Sequence, residues 1–264
     1  MPVLVPDYHV HTEWSWDAPR GDMERSCERA LEIGLPAIAF TEHADWALVH
    51  KGQHSVDIAG YFDAVDRCRA KFKNLKIQTG VELGEPHWYP GETAEVLSAG
   101  PLDRVLGSIH CVRLGGDMLD ASQFRSREGL DFPTAVREYF RETLAMVDSG
   151  QPFETLAHLD YPKRYWREGI APYREQDYEE PIRAILAAAA RTGRVLEVNT
   201  TRGTTLCPDL KVVRWWREAG GQAVSFGSDA HQPDRVAAGF EVAVQMVESA
   251  GFKPSPEPTA LWRR

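Results

Sequence analysis

Short apolar runs alternate along the chain with longer segments in which apolar residues recur every three or four positions. Runs of the first kind are typical of buried strands, and segments of the second kind are typical of helices that bury one face. The strand candidates are VLVPDYHVH, LPAIAFTEH, KIQTGVEL, RVLGSIH, ETLAHLD, RVLEVNT and AVSFGSD.

The segments between these runs predict helices, and several carry recognisable end signals. Asp22 suits the N-cap of the first helix, and Gly34 suits its C-terminal end. The helix candidates are DMERSCERALEIG, SVDIAGYFDAVDRCRAKF, ETAEVLSAG, PTAVREYFRETLAMVDSG, YEEPIRAILAAAARTG, DLKVVRWWREAGG and DRVAAGFEVAVQMVESAG. Strands that alternate with helices in this way predict an α/β fold with a parallel sheet.

The seven strand candidates favour a closed βα barrel, although an open α/β sheet gives a similar pattern. The length of 264 residues agrees with the ~250 residues usual for such barrels. We expect one barrel domain over residues 1–264, with a Pro-rich tail from about residue 252 that lies extended on the surface. No Gly-x-Gly-x-x-Gly follows the first strand and no Gly-rich loop ends in Lys-Ser or Lys-Thr, which disfavours a nucleotide-binding fold of either kind.

Composition and charge limit which molecules the protein could bind and indicate the cellular compartment. The formal net charge of −9 disfavours a general nucleic-acid-binding surface, but a phosphorylated substrate stays possible where bound metal ions change the local charge. The four cysteines are scattered without a Cys-x-x-Cys pair, which indicates free thiols in a reducing compartment. The sequence contains no membrane-spanning stretch and no signal-peptide pattern, so we expect a cytoplasmic protein.

Potential metal ligands stand at the ends of six of the seven predicted strands. The C-terminal ends of barrel strands converge on one face, where active sites are built. His9 and His11 are one residue apart, so both imidazoles leave the same face of the first strand. The full set of strand-end and adjacent loop residues is His9, His11, Asp17, His43, Glu82, His110, His158, Asp160, Asp229 and His231.

This set contains more donors than one ion can bind and suits two or three ions. Imidazole nitrogens and carboxylate oxygens favour Zn, Mn or Fe over Mg or Ca. Each residue taken alone also has an ordinary explanation, such as a hydrogen-bonded loop histidine or a solvated strand end. A metal centre explains all of them together at one edge of the sheet. The remaining histidines, His50, His54 and His87, lie in loops, where solvent-exposed positions are the simpler interpretation.

Six motifs in a fixed order resemble the polymerase-and-histidinol-phosphatase (PHP) superfamily. They are DYHVHTEWSWDA, FTEHAD, GVEL, LGSIH, LAHLDYPKRY and GSDAH, and within the superfamily they are most similar to the monomer-type histidinol phosphatases. The resemblance extends from residue 7 to about residue 240. It implies a distorted (β/α)7 TIM-like barrel with a trinuclear metal centre.

The resemblance also implies roles for individual residues. His9 and His11 would share one ion with Glu82 and Asp229, and Glu82 would bridge to a second ion. The remaining implied metal ligands are Asp17, His43, His110, His158 and His231.

Basic residues in HLDYPKRY would bind the phosphate of the substrate. They are Lys163 and Arg164, and we favour Arg164 because a guanidinium can bind phosphate oxygens in a bidentate way. A surface charge pair is an alternative explanation of the two. Asp229 or His231 would assist the leaving alkoxide.

The implied activity is hydrolysis of a small phosphate monoester, most plausibly L-histidinol phosphate to L-histidinol and phosphate. Direct in-line attack of hydroxide, without a phosphoenzyme, fits a multinuclear site. The alternatives are a phosphoesterase for nucleotides or nucleic-acid ends, and a metal-binding domain without turnover. An amidohydrolase also uses His-x-His, but GVEL and GSDAH together disfavour it. The oligomeric state is open.

Overall fold

The computed structural model describes residues 4–47, 56–166, 169–202 and 205–264. Its strands are β1 (Asp7–Val10), β2 (Ala37–Ala44), β3 (Lys76–Gly84), β4 (Arg104–Ser108), β5 (Cys111–Leu114), β6 (Asp117–Asp120), β7 (Thr155–Leu156), β8 (Val195–Arg202), β9 (Thr205–Cys207), β10 (Ala223–Gly227) and β11 (Trp262–Arg263). Its α-helices are α1 (Met23–Ile33), α2 (Ile58–Lys71), α3 (Pro90–Ser98), α4 (Phe132–Asp148), α5 (Glu179–Arg191), α6 (Leu210–Glu218) and α7 (Phe240–Ser249).

Every strand and helix predicted from the sequence is present, but two bounds differ clearly: β7 covers only Thr155–Leu156 of the predicted ETLAHLD, and the last helix begins later. The last helix was predicted from residue 234, but α7 begins at Phe240. Residues 233–235 form a separate 3-10 turn, and Gly239 has a positive φ of 83° that interrupts a continuous helix. In α1 the end signals work as predicted, because Asp22 accepts a hydrogen bond from the Arg25 backbone N–H and Gly34 ends the helix at φ 83°.

Seven of the described strands form a parallel barrel in the order β1-β2-β3-β4-β7-β8-β10. The barrel closes where the C-terminal ends of β10 and β1 meet. There the Asp229 N–H donates to the His9 carbonyl at 2.7 Å, and the His11 N–H donates to the Ala230 carbonyl at 2.8 Å. The distorted (β/α)7 barrel predicted from the sequence is therefore confirmed, and closure takes place directly beside the paired histidines.

The opposite end of the same seam is open and is occupied by the C-terminal tail. Val224 of β10 pairs with β8 on one edge and with Trp262 of β11 on the other, so β11 takes the edge that faces β1. Leu261 contacts Tyr8 of β1, and the Trp262 side chain is 3% exposed. Within the tail, Leu261 and Trp262 pack against β1 and β10 instead of lying on the surface, while Arg263 and Arg264 are exposed.

A hairpin that the strand pattern did not predict follows β4. Strands β5 and β6 pair in antiparallel fashion around Gly115 and Gly116, whose φ values of 62° and 90° suit a tight turn. The Ala121 N–H donates to the His110 carbonyl at 2.8 Å, which holds the base of the hairpin against the rim of the barrel. The Gly-Gly pair was the available sequence signal for this turn.

The helices cover the outside of the sheet. On one side α1 and α2 pack over β2 and β3, and on the other α4, α5, α6 and α7 pack in succession over the remaining strands. The four cysteines are buried free thiols, as predicted. Within the described ranges, no helix combines the length and the apolar character needed to span a bilayer.

Candidate active site

The structure brings the residues predicted as metal ligands into one cluster at the C-terminal ends of the strands. Most are buried, and His231 and Asp17 at the outer side are about 30% exposed. Their donor atoms fall into overlapping groups of three, and within a group the atoms lie close enough together to bind one ion. The cluster contains His9, His11, Asp17, His43, Glu82, His110, His158, Asp229 and His231.

In the innermost group, the donor atoms of His9, His11 and Glu82 lie close together, and Asp229 adjoins the two histidines. His9 Nε2 lies 2.9 Å from His11 Nε2 and 3.2 Å from Glu82 Oε2. The Asp229 Oδ1 atom lies 3.7 Å from His9 Nε2 and 3.4 Å from His11 Nε2. A tetrahedral ion with bonds of about 2.0–2.2 Å places neighbouring donors roughly 3.3–3.6 Å apart. The spacing of His9, His11 and Glu82 is therefore close to that expected around a single transition-metal ion, with Asp229 beside them.

The second group uses the other oxygen of Glu82. Glu82 Oε1 lies 2.6 Å from His158 Nε2 and 3.4 Å from His110 Nε2. Burial raises the pKa of the Glu82 carboxyl, but the surrounding histidines outweigh this and hold it well below its usual range. An ionised carboxylate with one oxygen in each group is suited to bridge two metal ions.

The third group lies at the outer side of the cluster. Asp17 Oδ2 lies 3.4 Å from His43 Nε2 and 3.2 Å from His231 Nε2. The His43 ring stacks on His11 at a centroid distance of 4.1 Å, so this group adjoins the first.

The donor chemistry of the cluster also fits bound cations. Asp17 Oδ1 is buried without a hydrogen-bond partner among the described residues. Buried polar atoms and charges are costly when they are unpaired, and bound cations would pair them. Two cluster residues, His158 and Asp229, also adopt positive φ values of 23° and 53°, a strained conformation that often marks a functional site.

Carboxylates that the sequence analysis did not select orient the histidines from behind. Glu197 Oε1 lies 2.6 Å from His9 Nδ1, and Asp45 Oδ1 lies 3.0 Å from His110 Nδ1. Such partners fix the ring so that Nε2 faces the metal position. Each has a sequence signal: Glu197 is a charge inside an apolar strand, and Asp45 lies two residues after His43 on the same strand face.

A hydroxyl relay performs the same task for His11. Ser15 Oγ lies 3.1 Å from His11 Nδ1 and donates a hydrogen bond to Glu42 Oε2 at 2.6 Å. With Ser15 as donor to Glu42, its oxygen is free to accept from His11 Nδ1–H, which leaves the Nε2 lone pair facing the cluster. Glu42 is also a charge within an apolar strand and was likewise not selected.

A cavity of about 490 Å³ opens onto the cluster. Its wall includes Arg164, whose side chain is only 3% exposed. Arg164 Nη1 donates to Asp229 at 2.9 Å and Nη2 donates to Asn199 at 2.5 Å, while its Nε–H finds no acceptor among the described residues. The guanidinium is thus held in a fixed orientation beside the donor groups.

Lys163 does not line this cavity, so the structure gives no support to its predicted role as a phosphate ligand. Its ammonium lies 3.1 Å from Glu175, 3.6 Å from Asp160 and 3.7 Å from Asp209. Asp160 is fully buried without a hydrogen bond to either carboxylate oxygen within the described chain, so Lys163 supplies its compensating charge. The physical reason is that residues 161–165 form a 3-10 turn that directs neighbouring side chains to different sides.

Of the three loop histidines, the structure describes only His87. His50 and His54 lie outside the described residues. His87 was expected in solvent, but its side chain is 10% exposed and its Nε2 lies 3.1 Å from Glu142. Trp88 donates to the same carboxylate at 3.1 Å, so His87 belongs to a packed polar contact away from the cavity.

Comparisons with known proteins agree with this geometry. The family model described as PHP domain matches residues 7–201. The Lactococcus lactis protein named histidinol-phosphatase is 28% identical over 93% of this chain and 91% of its own length. A Clostridium acetobutylicum protein named "Probable histidinol-phosphatase" is 29% identical over 95% of this chain and 96% of its own.

A solved structure extends the similarity to three dimensions. The histidinol phosphate phosphatase of L. lactis, crystallised with zinc, L-histidinol and phosphate, superposes with a TM-score of 0.85 at 25% identity. The superposition covers 98% of this chain and 97% of the other. With its family-model match over most of the chain, a (β/α)7 barrel and the ordered strand-end motifs, the chain belongs to the PHP domain family.

Proposed function

We propose that this protein is a metal-dependent phosphatase that hydrolyses L-histidinol phosphate to L-histidinol and phosphate. The observation that carries the proposal is the convergence of three donor groups and a fixed guanidinium on one cavity. The Lactococcus and Clostridium relatives, both named as histidinol phosphatases, align over more than nine-tenths of each chain and support the choice of substrate. The ligands of the solved Lactococcus structure support it further.

The proposed cofactors are two or three divalent transition-metal ions, for which Zn, Mn and Fe suit the mixed nitrogen and oxygen donors. The first position would be held by His9, His11, Glu82 and Asp229, the second by Glu82, His110 and His158, and the third by Asp17, His43 and His231. When bound, such ions lower the pKa of water and neutralise charge on a phosphate group.

Arg164 is the proposed phosphate-binding residue. Two of its donors are fixed by Asp229 and Asn199, so the guanidinium needs no rearrangement to bind a phosphate oxygen at the cavity wall. A preorganised positive charge stabilises the negative charge that spreads over the phosphoryl oxygens in the transition state. Asp229 and His231 both line the cavity, as their predicted role in assisting the leaving alkoxide requires.

The proposal also includes a cellular compartment and a domain organisation. We expect the protein to act in the cytoplasm as one barrel domain, and the four buried free thiols support a reducing compartment.

A substrate panel tests the proposed activity. Steady-state kinetics on L-histidinol phosphate, nucleoside monophosphates, bisphosphates and short oligonucleotides would be measured with metal content determined on the same preparation. We expect the highest kcat/KM on L-histidinol phosphate and loss of activity in a chelator. Higher kcat/KM on a nucleotide or an oligonucleotide would replace the substrate assignment, and metal binding without hydrolysis of any ester would indicate a binding domain.

The role of Arg164 has its own test. In Arg164→Lys we expect a lower kcat/KM and weaker competitive inhibition by inorganic phosphate, because a point charge replaces an oriented planar donor. Metal content should stay at the wild-type level. Unchanged inhibition by phosphate would remove Arg164 from the phosphate site.

A further inference from the structure

One carboxylate on the cavity wall has no cationic partner. Asp120 lies at the end of β6, lines the same cavity as the donor groups and is partly buried. Its Oδ1 accepts a hydrogen bond from the Ser122 backbone N–H at 2.7 Å. Within the described part of the chain, no Lys, Arg or His pairs with either of its oxygens.

The other carboxylates of this wall are all paired. Asp17 lies beside two histidines, Asp45 contacts His43 and His110, and Asp229 pairs with Arg164. Glu82 lies among the histidines of both inner groups. Asp120 is therefore the exception, a negative charge on the wall that is available to a ligand.

The fold anchors Asp120 on the same wall as the donor groups. Asp120 pairs with Cys111 across the β5–β6 hairpin, and the next residue bonds to the His110 carbonyl at 2.8 Å. The 3-10 segment that follows Asp120 packs against the 161–165 turn that carries Arg164. The carboxylate thus lies on the same wall as the proposed metal and phosphate positions, on a hairpin anchored beside them.

We infer that Asp120 is a specificity-determining residue that binds the ammonium group of the alcohol part of the substrate. The inference rests on the proposed function, in which the substrate is a phosphate ester of an amino alcohol. Its ammonium is on the carbon next to the ester CH₂ group, so a phosphate held by the metals and Arg164 keeps this cation near the wall. A hydrogen bond between charged groups is stronger than a neutral one, and an ester without an amine gains nothing from it.

Asp120 also caps the turn that follows it, and the test must separate this role from ligand binding. Asn is as good a cap as Asp, so Asp120→Asn keeps the bond to Ser122 and removes only the charge. Asp117→Asn is the matched control, since Asp117 lies on the same hairpin but pairs with Arg127 at 2.9 Å and is 67% exposed. Each variant would be assayed on L-histidinol phosphate and on 4-nitrophenyl phosphate, which has no amine.

For Asp120→Asn we expect kcat/KM on L-histidinol phosphate to fall about 10- to 100-fold, with a change below about 3-fold on 4-nitrophenyl phosphate. Asp117→Asn should match the wild type on both esters. Equal loss on both esters would show a structural role, and no loss on either would show no role, so both results overturn the inference.

A binding measurement tests the role of Asp120 independently of the proposed activity. If the wild type hydrolysed neither ester, the proposed function would fail while the binding question remained. Calorimetric titration with L-histidinol itself then decides it. Weaker binding by Asp120→Asn than by Asp117→Asn supports the ammonium contact, and equal binding by the two variants overturns it.

Discussion

The buried carboxylate of Glu197 gives the sharpest test of how the metal ligands are oriented. Glu197 is 1% exposed, its Oε1 lies 2.6 Å from His9 Nδ1, and its Oε2 accepts from the His158 backbone N–H at 2.8 Å. Burial lowers the pKa of His9, but the carboxylates of Glu197 and Glu82 outweigh it and hold this pKa well above its usual range. Glu197→Gln keeps the size of the side chain and removes its charge.

The expected magnitude follows from the contact with His9, which loses its charged acceptor. A hydrogen bond to a charged group contributes about 1.5–3 kcal/mol, which corresponds to roughly a 10- to 150-fold change in an equilibrium constant. Loss of an orienting carboxylate behind a metal-bound histidine reduces metal affinity by about 10- to 100-fold, in agreement with this range. We therefore expect Glu197→Gln to weaken zinc binding by about 10- to 100-fold.

Competition with a chromophoric chelator would measure zinc affinity, and thermal unfolding would show that the variant is folded. Glu154→Gln is the matched control, because Glu154 precedes β7 at the opposite end of the barrel and pairs with Arg104 at 2.9 Å. The control should bind zinc like the wild type. If Glu197→Gln bound zinc as tightly as Glu154→Gln did, the orienting role of the buried carboxylate would be refuted.

Three further predictions address other parts of the structure. Asp45→Asn should lower zinc affinity by about 10-fold or more, measured by the same competition, because His110 loses the charged acceptor that orients it. Trp262→Ala should lower the free energy of unfolding in urea by about 3–5 kcal/mol while the folded variant keeps its kcat, since Trp262 is buried against Phe226 and does not line the cavity. Lys163→Met should lower the free energy of unfolding by about 3–5 kcal/mol, because buried Asp160 loses its compensating charge. The competitive inhibition constant of phosphate should not change in Lys163→Met, and a large increase would return Lys163 to the phosphate site.

Much of the barrel was predictable because each strand has its own local signal. Apolar runs and helical periods identified every parallel strand, and the rule that strand ends share one face brought distant residues such as His9 and Asp229 together. The packing of the tail was harder to predict. It depends on the gap between the N-terminal ends of β1 and β10, which no local sequence pattern indicates. The hairpin after β4 had a turn signal in Gly115-Gly116 but only short flanking strands.

The orienting residues of the site depend on contacts that periodicity does not describe. Glu197 and Glu42 interrupt apolar strands, and a charge at such a position indicates a buried partner without indicating which one. The neighbours Lys163 and Arg164 illustrate the same limit. Residue type made both of them candidates for phosphate binding, and only the path of the 3-10 turn separates the buried ion pair from the residue at the cavity wall.

Glu82, the carboxylate shared by two proposed metal positions, is the residue on which the proposed metal centre depends most. The direct measurement is metal content and L-histidinol phosphate turnover of the wild type, His11→Ala and Glu82→Ala, each determined on one preparation of folded protein. We predict that the wild type binds about two or three ions per chain and turns over, whereas both variants lose metal and Glu82→Ala is the more strongly impaired. Full metal content and an unchanged rate in both variants would contradict the proposed metal centre and the phosphatase mechanism built on it.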